Sequence, residues 1–412
     1  MRLKHYLQMT YGDALSVDVR EEGVVPVYGS NGIVGNHSKA NTLGPAIIVG
    51  RKGSHGKVVW ASRPSFCIDT AYYVDERTCK GDLRFSYFLL LSLELDRNTR
   101  DTGVPGLERT EALNRVVRIP DLPTQKRIAA FLDRETARID ELIAKKATFG
   151  DLILAREEAS FLAAVTGRSH SGPKVWSGVD WIGDIPEGWL APKFTMVARQ
   201  ETGHTPSRKE PDYWVPEDCV IPWLSLADVW QLRSGENVYL YDTSEKISEF
   251  GMANSSARLL PKNTVVLSRT ASVGFAAIMG QPMATTQDFA GWICGPTIRP
   301  KFLYYVLRAM KPEFRRLMMG STHQTIYMPD IRAFRTPLPS LNEQDQIVNE
   351  LDASIGTYRM VHRSIQTSID RLREYRAALI SAAVTGQIDV QTYAKSGTAD
   401  RRLDAIEEEM GA

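Results

Sequence analysis

The chain has few of the features that mark secreted, zinc-bound or membrane proteins. Its four cysteines, at positions 67, 79, 219 and 294, are scattered without a C-x-x-C pair, which argues against a disulfide framework and a zinc site. Its longest apolar stretches fall far short of the roughly 18 residues that a membrane-spanning helix needs. The start of the sequence lacks a signal-peptide pattern. We therefore expect a cytoplasmic protein with no membrane partner.

Catalytic motifs are missing as well. The seven histidines show no metal-ligand spacing, and neither a nucleophile elbow nor a zinc-protease motif is present. The stretch GRKGSHGK superficially resembles a phosphate-binding loop, but it has one residue too many between Gly50 and Gly56, and Val58 replaces the magnesium-binding hydroxyl. These absences indicate a protein that binds and does not catalyse, without a metal site or a cofactor of its own.

What the sequence does contain is an internal repeat. The pentapeptide AAVTG occurs at 163–167 and again at 382–386, and LPTQKRIAAFLD at 122–133 aligns with LNEQDQIVNELD at 341–352. The offset is 219 in both places, so the last part of each copy has a fixed length. A constant length in a duplicated segment indicates a mechanical constraint on it.

The first part of each copy varies more. IIVGRKGSHG at 47–56 matches VVLSRTASVG at 265–274 with an offset of 218, and LKHYLQMTYG at 3–12 resembles FTMVARQETG at 194–203 with an offset of 191. The second copy has therefore gained residues inside its first part. Short β-rich runs and one helical segment in each first part predict an α/β or α+β globular domain that occurs twice.

The constant segments are predicted to be long helices, because apolar residues recur at spacings of three and four without an internal proline. Asn342 is expected to cap the second helix, and Gly167 and Gly386 to close the two helices in a left-handed conformation. Equal length favours antiparallel pairing in a coiled coil over two separate linkers, each packed on its own domain. The residues that we predict for the coil or a partner surface are Ile128, Leu132, Ile139, Leu142, Ile153, Ile347, Leu351, Tyr358, Val361, Leu372 and Leu379.

Phe149 also falls on the predicted apolar stripe, and its polar interruptions, Glu135, Lys146 and Arg156, are expected to expose surface to a further partner. The predicted division of the chain is a first domain at 1–121, a helix at 122–167, a second domain at 168–340, a helix at 341–387 and an acidic C-terminal tail at 388–412. The net charge of +1 hides a small basic excess in both predicted domains, which is weak evidence for nucleic-acid binding.

With these motifs, the sequence resembles the specificity (S) subunits of type I restriction-modification systems. The resemblance covers nearly the whole chain. It is carried by the two long repeats, by SGVDWIGDIPEGW at 177–189, by TGHTPSR at 202–208, by VPVYGSNGIVG at 25–35 and by the R-x-x-S-x-G loops that begin at Arg51 and Arg269, together with IPWLSLADV at 221–229.

The resemblance implies two target-recognition domains and two antiparallel helices, related by a pseudo-twofold axis. It implies recognition of a split double-stranded DNA target, with the helices setting the spacer, in DNA methylation and phage defence. Two adenine-N6 methyltransferase subunits and two translocase/endonuclease subunits would be the partners. S-adenosylmethionine, ATP and magnesium would belong to those partners, and this subunit would perform no chemistry.

Loops that combine glycine and serine with hydrogen-bond donors are the candidate DNA contacts. The alternative for Arg51 and Arg269 is an ion pair with a nearby carboxylate, Asp69 or Asp288. Asn31 and Gln324 can each bond adenine bidentately, although such loops are often only turns. The candidate residues are Tyr28, Ser30, Asn31, Arg51, Lys52, Ser54, His55, Lys57, Thr205, Arg208, Arg269, Thr270, Ser272, Thr322, His323 and Gln324.

Two other classes of function stay open from sequence. A stand-alone DNA-binding or regulatory protein would share the two domains but would have no methyltransferase partner. A structural scaffold would protect no DNA sequence. A fused enzyme is disfavoured, because the two domains and two helices account for the chain.

Overall fold

The computed structural model describes residues 1–97, 106–318 and 324–408. The chain divides into two compact units, the first formed by Met1–Gly150 with Arg363–Ala412 and the second by Asp151–His362. Strands and helices are mixed in both units, as the α/β fold class predicts. No helix within the described ranges has the length and apolar character that a bilayer crossing requires.

The first half of the chain contains seven strands and three helices in its described part. They are β1 (Thr10–Tyr11), β2 (Val25–Gly29), β3 (Gly32–His37), β4 (Ala46–Gly50), β5 (Val58–Ala61), β6 (Phe66–Cys67), β7 (Ala71–Val74), α1 (Leu83–Ser92), α2 (Arg109–Asn114) and α3 (Leu122–Val165).

The remainder of the described chain continues with the following elements. They are β8 (Lys174–Trp176), β9 (Asp184–Pro186), α4 (Phe194–Val197), β10 (Ala198–Thr202), β11 (Cys219–Leu224), β12 (Tyr239–Leu240), β13 (Lys246–Ser248), α5 (Glu249–Ala253), β14 (Val265–Ser268), β15 (Ala276–Met279), β16 (Ala284–Thr285), β17 (Phe289–Cys294), α6 (Pro300–Ala309), α7 (Lys311–Met318), α8 (Met328–Ala333), α9 (Leu341–Thr385), α10 (Val390–Lys395) and α11 (Thr398–Glu408). Short 3-10 helices lie at Leu3–His5, Val17–Val19, Pro211–Tyr213 and Leu226–Leu232.

The globular part of each unit contains two sheets built on one plan. In the first unit the strand orders are β1-β7-β4-β5 and β3-β2-β6, and in the second they are β10-β17-β14-β15-β12 and β13-β11-β16, with β8 and β9 forming a separate pair. The β4–β7 register pairs Ile47 with Val74, and the β14–β17 register pairs Val265 with Trp292. Both residues of the pair are displaced by 218 positions, so the repeat extends to strand register.

Much of the extra length of the second copy lies in one connection. In the first unit β2 and β3 form a hairpin closed by the two residues Ser30 and Asn31. In the second unit the corresponding strands, β11 and β13, are joined by 225–245, which contains a 3-10 helix and β12. Strand β12 then pairs in parallel with β15 as an edge strand. The insertion therefore enlarges the domain and leaves its central strands unchanged.

The pentapeptide AAVTG forms the same C-terminal cap on both long helices. Gly167 and Gly386 have φ of 66° and 75°, the left-handed conformation that glycine adopts without strain. The backbone N–H groups of Arg168 and Gln387 donate to the carbonyls of Ala163 and Ala382, at 2.8 and 2.9 Å. This is the Schellman pattern, and it confirms the two predicted closing glycines.

The start of α9 differs from the prediction. Asn342 lies inside the helix, and Ser340 precedes it with a capping box: Glu343 accepts from the Ser340 backbone N–H at 3.0 Å, and the Ser340 hydroxyl accepts from the Glu343 N–H. Serine followed three residues later by glutamate satisfies two backbone donors at once. The asparagine was the wrong choice because the serine has the reciprocal partner.

Within the first unit, the beginning of α3 packs antiparallel to the end of α9. Ile128 and Leu132 share a core with Leu379 and Val384. At the outer edge of this pairing, the Arg376 guanidinium lies against the Asp140 carboxylate, with an Nη2 to Oδ2 distance of 3.1 Å. The predicted antiparallel pairing of the long helices is therefore present here.

Within the second unit, the end of α3 packs antiparallel to the beginning of α9, with Phe161 and Val165 in one core with Leu351 and Ile355. Of the residues predicted for the coil, six are buried: Ile128, Leu132, Ile139, Leu351, Leu372 and Leu379. Five are half-buried: Leu142, Ile153, Ile347, Tyr358 and Val361.

Three residues on α3 contradict the predicted stripe. Phe149 is 49% exposed, whereas Glu135 and Lys146, expected to lie on an open surface, are buried; Arg156 is exposed as expected. Helical periodicity locates an apolar face but does not show which neighbouring side chains cover its polar positions.

The segment predicted as an acidic tail forms α10 and α11, which pack on the first unit. Tyr393 meets Phe131 edge to face at 6.0 Å between ring centroids, and Leu403 is buried in the same core. Arg138 on α3 forms an ion pair with Asp400. The prediction rested on charge and missed the apolar positions of these two short helices.

Candidate nucleic-acid interface

One loop conformation occurs in both units, after β4 and after β14. In the first unit Gly56 N–H donates to the Gly50 carbonyl at 2.8 Å, and in the second Gly274 N–H donates to the Ser268 carbonyl at 2.9 Å. The residue at the loop apex is left-handed in both, Gly53 with φ 73° and Ala271 with φ 55°. The R-x-x-S-x-G pattern therefore encodes a fixed backbone shape.

The loop arginines are braced by backbone oxygens. Arg51 Nη1 donates to the carbonyl of Asp69 at 2.9 Å, and Arg269 Nε donates to the carbonyl of Gln287 at 2.9 Å. The alternative of an ion pair with Asp69 or Asp288 is not what the structure shows, because these bonds go to backbone carbonyls. The two acceptor residues, Asp69 and Gln287, are equivalent in the repeat at an offset of 218. A guanidinium has five N–H donors, so both arginines hold the loop and keep donors for another ligand.

In the first unit the hairpin turn and the loop come together. Lys57 Nζ donates to Asn31 Oδ1 at 2.7 Å and to the Asn31 carbonyl at 3.0 Å. Lys52, Ser54, Lys57 and Asn31 are exposed. Lys57 occupies one of the two lone pairs of the amide oxygen that a bidentate adenine contact uses, so Asn31 keeps one acceptor position on that oxygen and its amide N–H groups for a base.

Other candidates in the first unit are less accessible. Tyr28 is 8% exposed and packs against Ile48 and Cys67, so its ring belongs to the core and leaves the set of contact candidates. Ser30 is half-buried in the turn. His55 is half-buried with Nδ1 3.2 Å from the Gly53 carbonyl, which makes it part of the loop structure.

In the second unit four candidates form one cluster. Thr205 donates to Gln287 Oε1 at 2.9 Å, and the carbonyl of Gln287 holds Arg269. Thr270 donates to the Asp288 carboxylate. The Ala271 N–H donates to the carbonyl of Gln324, at 2.9 Å, which leaves the exposed Gln324 side chain beside the loop.

Two further candidates lie in the same unit. Ser272 is half-buried within the loop. Arg208 stacks 3.8 Å above the Trp214 ring and pairs with Glu245 at 2.7 Å, so it stabilises its own segment. Thr322 and His323 lie outside the described residues.

Two buried glutamines that are not among the predicted site residues connect each domain to its long helix. Gln125 Oε1 accepts from the Asp82 N–H at 2.9 Å and Nε2 donates to the Pro120 carbonyl at 2.8 Å. Gln344 repeats this with the Arg299 N–H at 2.8 Å and the Pro339 carbonyl at 3.0 Å. The invariant position of glutamine in LPTQ and LNEQ was the available signal.

An ion pair reinforces each glutamine connection. Arg84 on α1 pairs with Asp133 on α3 at 2.6 Å, and Lys301 on α6 pairs with Asp352 on α9 at 2.6 Å. The acids are the last residues of the repeated LPTQKRIAAFLD and LNEQDQIVNELD stretches. Each domain is therefore attached to its helix by the same two contacts.

The chemistry of the cysteines is that of core residues. Burial raises the pKa of Cys67 to about 12 and that of Cys294 to about 12, so both are protonated thiols at neutral pH and poor nucleophiles. Among residues 1–97, 106–318 and 324–408, no cluster of three or more His, Cys, Asp or Glu side chains is arranged to hold a metal.

Solved structures share the fold of this chain. A chain from a type I R-M system, studied for its complex assembly and conformational transition, superposes with a TM-score of 0.64 at 16% identity, covering 94% of this chain and 97% of that one. The HsdS subunit from Thermoanaerobacter tengcongensis gives a TM-score of 0.51 at 18% identity and covers 94% and 96%. At these identities the likeness establishes the fold.

Sequence relatives point the same way. The chain is 30% identical over 172 residues to the type I restriction enzyme MjaIX specificity subunit of Methanocaldococcus jannaschii, which covers 41% of this chain and only 38% of that protein. It is 21% identical over 366 residues to the EcoBI specificity subunit of Escherichia coli, covering 85% and 75%. The family model for the type I restriction modification DNA specificity domain matches residues 10–148 and 187–369. The chain therefore belongs to the type I restriction-modification DNA specificity family.

Proposed function

We propose that this chain is the DNA-recognition subunit of a type I restriction-modification complex and binds a split double-stranded target, one half with each unit. The duplicated loop supports the proposal. Its backbone is the same in both units, but Lys52 and Lys57 of the first correspond to Thr270 and Phe275 of the second. A shared frame with different side chains suits two half-sites that differ in sequence.

In this proposal the chain itself is not catalytic and works in the cytoplasm with partner subunits. Two adenine-N6 methyltransferase subunits and two translocase/endonuclease subunits would complete the complex. S-adenosylmethionine, ATP and magnesium would bind to those subunits. Membership of a family defined by DNA specificity supports the division of roles.

The first test is genomic. Methylation-sensitive sequencing of the host with and without the gene should reveal one split motif with modified adenines in both halves. Loss of the gene should remove that methylation. Binding to DNA without a co-purifying adenine methyltransferase would instead support the stand-alone regulatory alternative, and no protected sequence at all would support the scaffold.

The second test separates backbone contacts from base reading. Lys52→Ala should weaken binding to all sequences in a degenerate duplex pool alike and lower the salt slope by about one. Arg51→Ala should cost roughly 1–3 kcal/mol and relax one target position if its free donors read a guanine. Lys80→Ala, an exposed lysine just before α1, is the matched control. Unchanged binding in both variants would remove this loop from the interface.

A further inference from the structure

The two units carry basic side chains at positions that do not correspond in the repeat. Three cations on the loop after β4 and on α2 of the first unit align with neutral residues of the second. They are Lys52, Lys57 and Arg109, aligned with Thr270, Phe275 and Met328. Three cations on and beside β10 and α8 of the second unit align with neutral residues of the first. They are Arg199, Arg258 and Arg332, aligned with Gln8, Ala40 and Leu113. The cations therefore lie at different places on one fold.

The three arginines of the second unit line a cavity of about 620 Å³ beside β10, the edge strand of its sheet. In the first unit Tyr11 pairs with Tyr72 on β7, and at the same register of β10 and β17 Thr202 pairs with Ala290. The Tyr11 ring lies 5.0 Å from that of Tyr72 and 4.7 Å from the Arg109 guanidinium. The smaller Thr202 lines the cavity and leaves space that the tyrosine ring fills in the first unit.

A buried acid holds two of these guanidinium groups at the cavity. Glu201 is buried, whereas the Arg199 and Arg258 side chains are 72% and 67% exposed. The Glu201 carboxylate accepts from Arg258 Nη1 at 2.9 Å and lies 3.4 Å from Arg199 Nη1. Because each guanidinium has five N–H donors, one shared carboxylate leaves several of them available to an anion. The first unit has Thr10 at the position of Glu201.

Arg332 and Gln200 complete the polar lining. Arg332 is exposed on α8 and pairs with no carboxylate in the part of the chain that the structure describes. The lining includes three arginines and one carboxylate, Glu201, so its formal charge is +2. The side-chain oxygen of Gln200 is buried without a hydrogen-bond partner among the described residues. A DNA strand offers both phosphate oxygens for the guanidinium groups and base amino groups for this oxygen.

The cavity adjoins the candidate DNA contacts of the second unit. His204 lines the cavity, and the next residue, Thr205, donates to Gln287 beside the loop after β14. On the other side, the Ile326 N–H donates to the Arg269 carbonyl at 2.8 Å, two residues before α8 begins. The two elements that line the cavity, β10 and α8, therefore both connect directly to the loop cluster.

We propose that this cavity binds the phosphate backbone of DNA next to the half-site that the second unit reads. The two units then hold the backbone at different places on a shared fold, the first with the cations of its loop and α2, the second with Arg199, Arg258 and Arg332. This inference rests on the proposed recognition function and adds the path of the backbone to it. An ion-pair cluster that only stabilises β10 is the alternative, and it gives Arg332 no role in binding.

The test measures binding of the full chain to a degenerate duplex pool at several salt concentrations. Arg332→Leu, which introduces the residue of the first unit, should weaken binding to all sequences alike, about fivefold at physiological salt, and lower the salt slope by about one. The double variant Arg258→Ala, Arg332→Leu should lower the slope by about two. Arg233→Leu, at an exposed arginine of the same unit outside the cavity lining, is the charge-matched control and should bind like wild type.

The outcomes separate this inference from the recognition function. Wild type that binds duplex DNA together with variants of unchanged slope would overturn the role of the cavity and leave recognition standing. Relaxation of one target position in Arg332→Leu would overturn a backbone contact in favour of base reading. Inorganic phosphate that raises Tm of wild type but not of the double variant, with DNA binding equal in both, would make a free phosphate compound the occupant. Wild type that binds no duplex would overturn both proposals.

Discussion

The two units share their attachments and differ in their outer parts. Both join domain to helix through the same buried glutamine and the same ion pair. They differ where the two-residue turn of the first unit is replaced by 225–245 in the second. The comparison teaches that length variation is tolerated in the β2–β3 connection, whereas the contacts that fix a domain on its helix are repeated residue for residue.

Each unit also has an ion pair between α3 and α9, and the two ion pairs differ in burial. In the first unit Asp140 of α3 pairs with Arg376 of α9, and in the second Glu157 of α3 approaches Arg359 of α9 at 3.7 Å. The repeat maps position 140 to 359 and position 157 to 376. Both acids therefore lie on α3 and both arginines on α9, so the two helices are not interchangeable.

The largest expected loss of stability comes from removing Glu157, the buried acid of the two ion pairs. Glu157→Ala leaves Arg308 and Arg359 without their shared carboxylate, and breaking a buried pair in this way costs about 3–5 kcal/mol. Both arginines are less than one fifth exposed. Asp140→Ala, at a carboxylate that is half exposed, should cost at most about 1 kcal/mol. Urea unfolding followed by circular dichroism measures both, and equal losses would contradict the comparison.

The glutamine connections should give the next largest effect. Gln344→Ala leaves the Arg299 N–H without its acceptor, and Gln125→Ala does the same to the Asp82 N–H. Each should lower the free energy of unfolding by about 1–3 kcal/mol. Gln346→Ala, an exposed neighbour on α9, is the control and should stay within about 0.5 kcal/mol of wild type. Hydrogen exchange at residues 82 and 299 would report the loosened contact directly.

Substitutions at the loop apex should change stability differently in the two units. Ala271 adopts a left-handed conformation that costs an alanine roughly 1–2 kcal/mol, so Ala271→Gly should stabilise the protein or leave it unchanged, despite the added freedom of the unfolded chain. Gly53→Ala should destabilise it by about 1 kcal/mol. Thermal unfolding of the two variants checks the pair, and a stabilising Gly53→Ala would contradict the shared loop shape.

The smallest expected effect is on how stability depends on pH in the acidic range. The hydrogen bond from Ser340 holds the pKa of Glu343 below its usual range, and burial opposes this shift while the Trp189 indole supports it. A lowered pKa adds stability above the ordinary glutamate value of about 4.3, and this stability is lost as pH falls through the lowered pKa. Glu343→Gln should flatten this part of the stability profile. The first unit has Thr124 at this position, so Thr124→Ala should leave the profile unchanged.

Local signals in the sequence predicted much of the helical framework. Spacing identified α3 and α9, and AAVTG identified their closing glycines, because helix periodicity and caps depend on residues close in the chain. The acceptor of Arg51, the burial of Tyr28 and the partner of Gln125 depend on contacts between distant segments. Arg51 and Asn31 could be predicted as hydrogen-bonding residues in loops. Their hydrogen bonds to the Asp69 carbonyl and from Lys57 join segments far apart in the chain and are seen only in the folded structure. The predicted domain boundaries and DNA contacts stay predictions.

The placement of both acids on α3 and both arginines on α9 determines which halves of the chain are matched in charge. Two first halves brought together would oppose Asp140 to Glu157, and two second halves would oppose Arg359 to Arg376. Like charges at that position disfavour both assemblies. A first half therefore matches a second half and does not match another copy of itself.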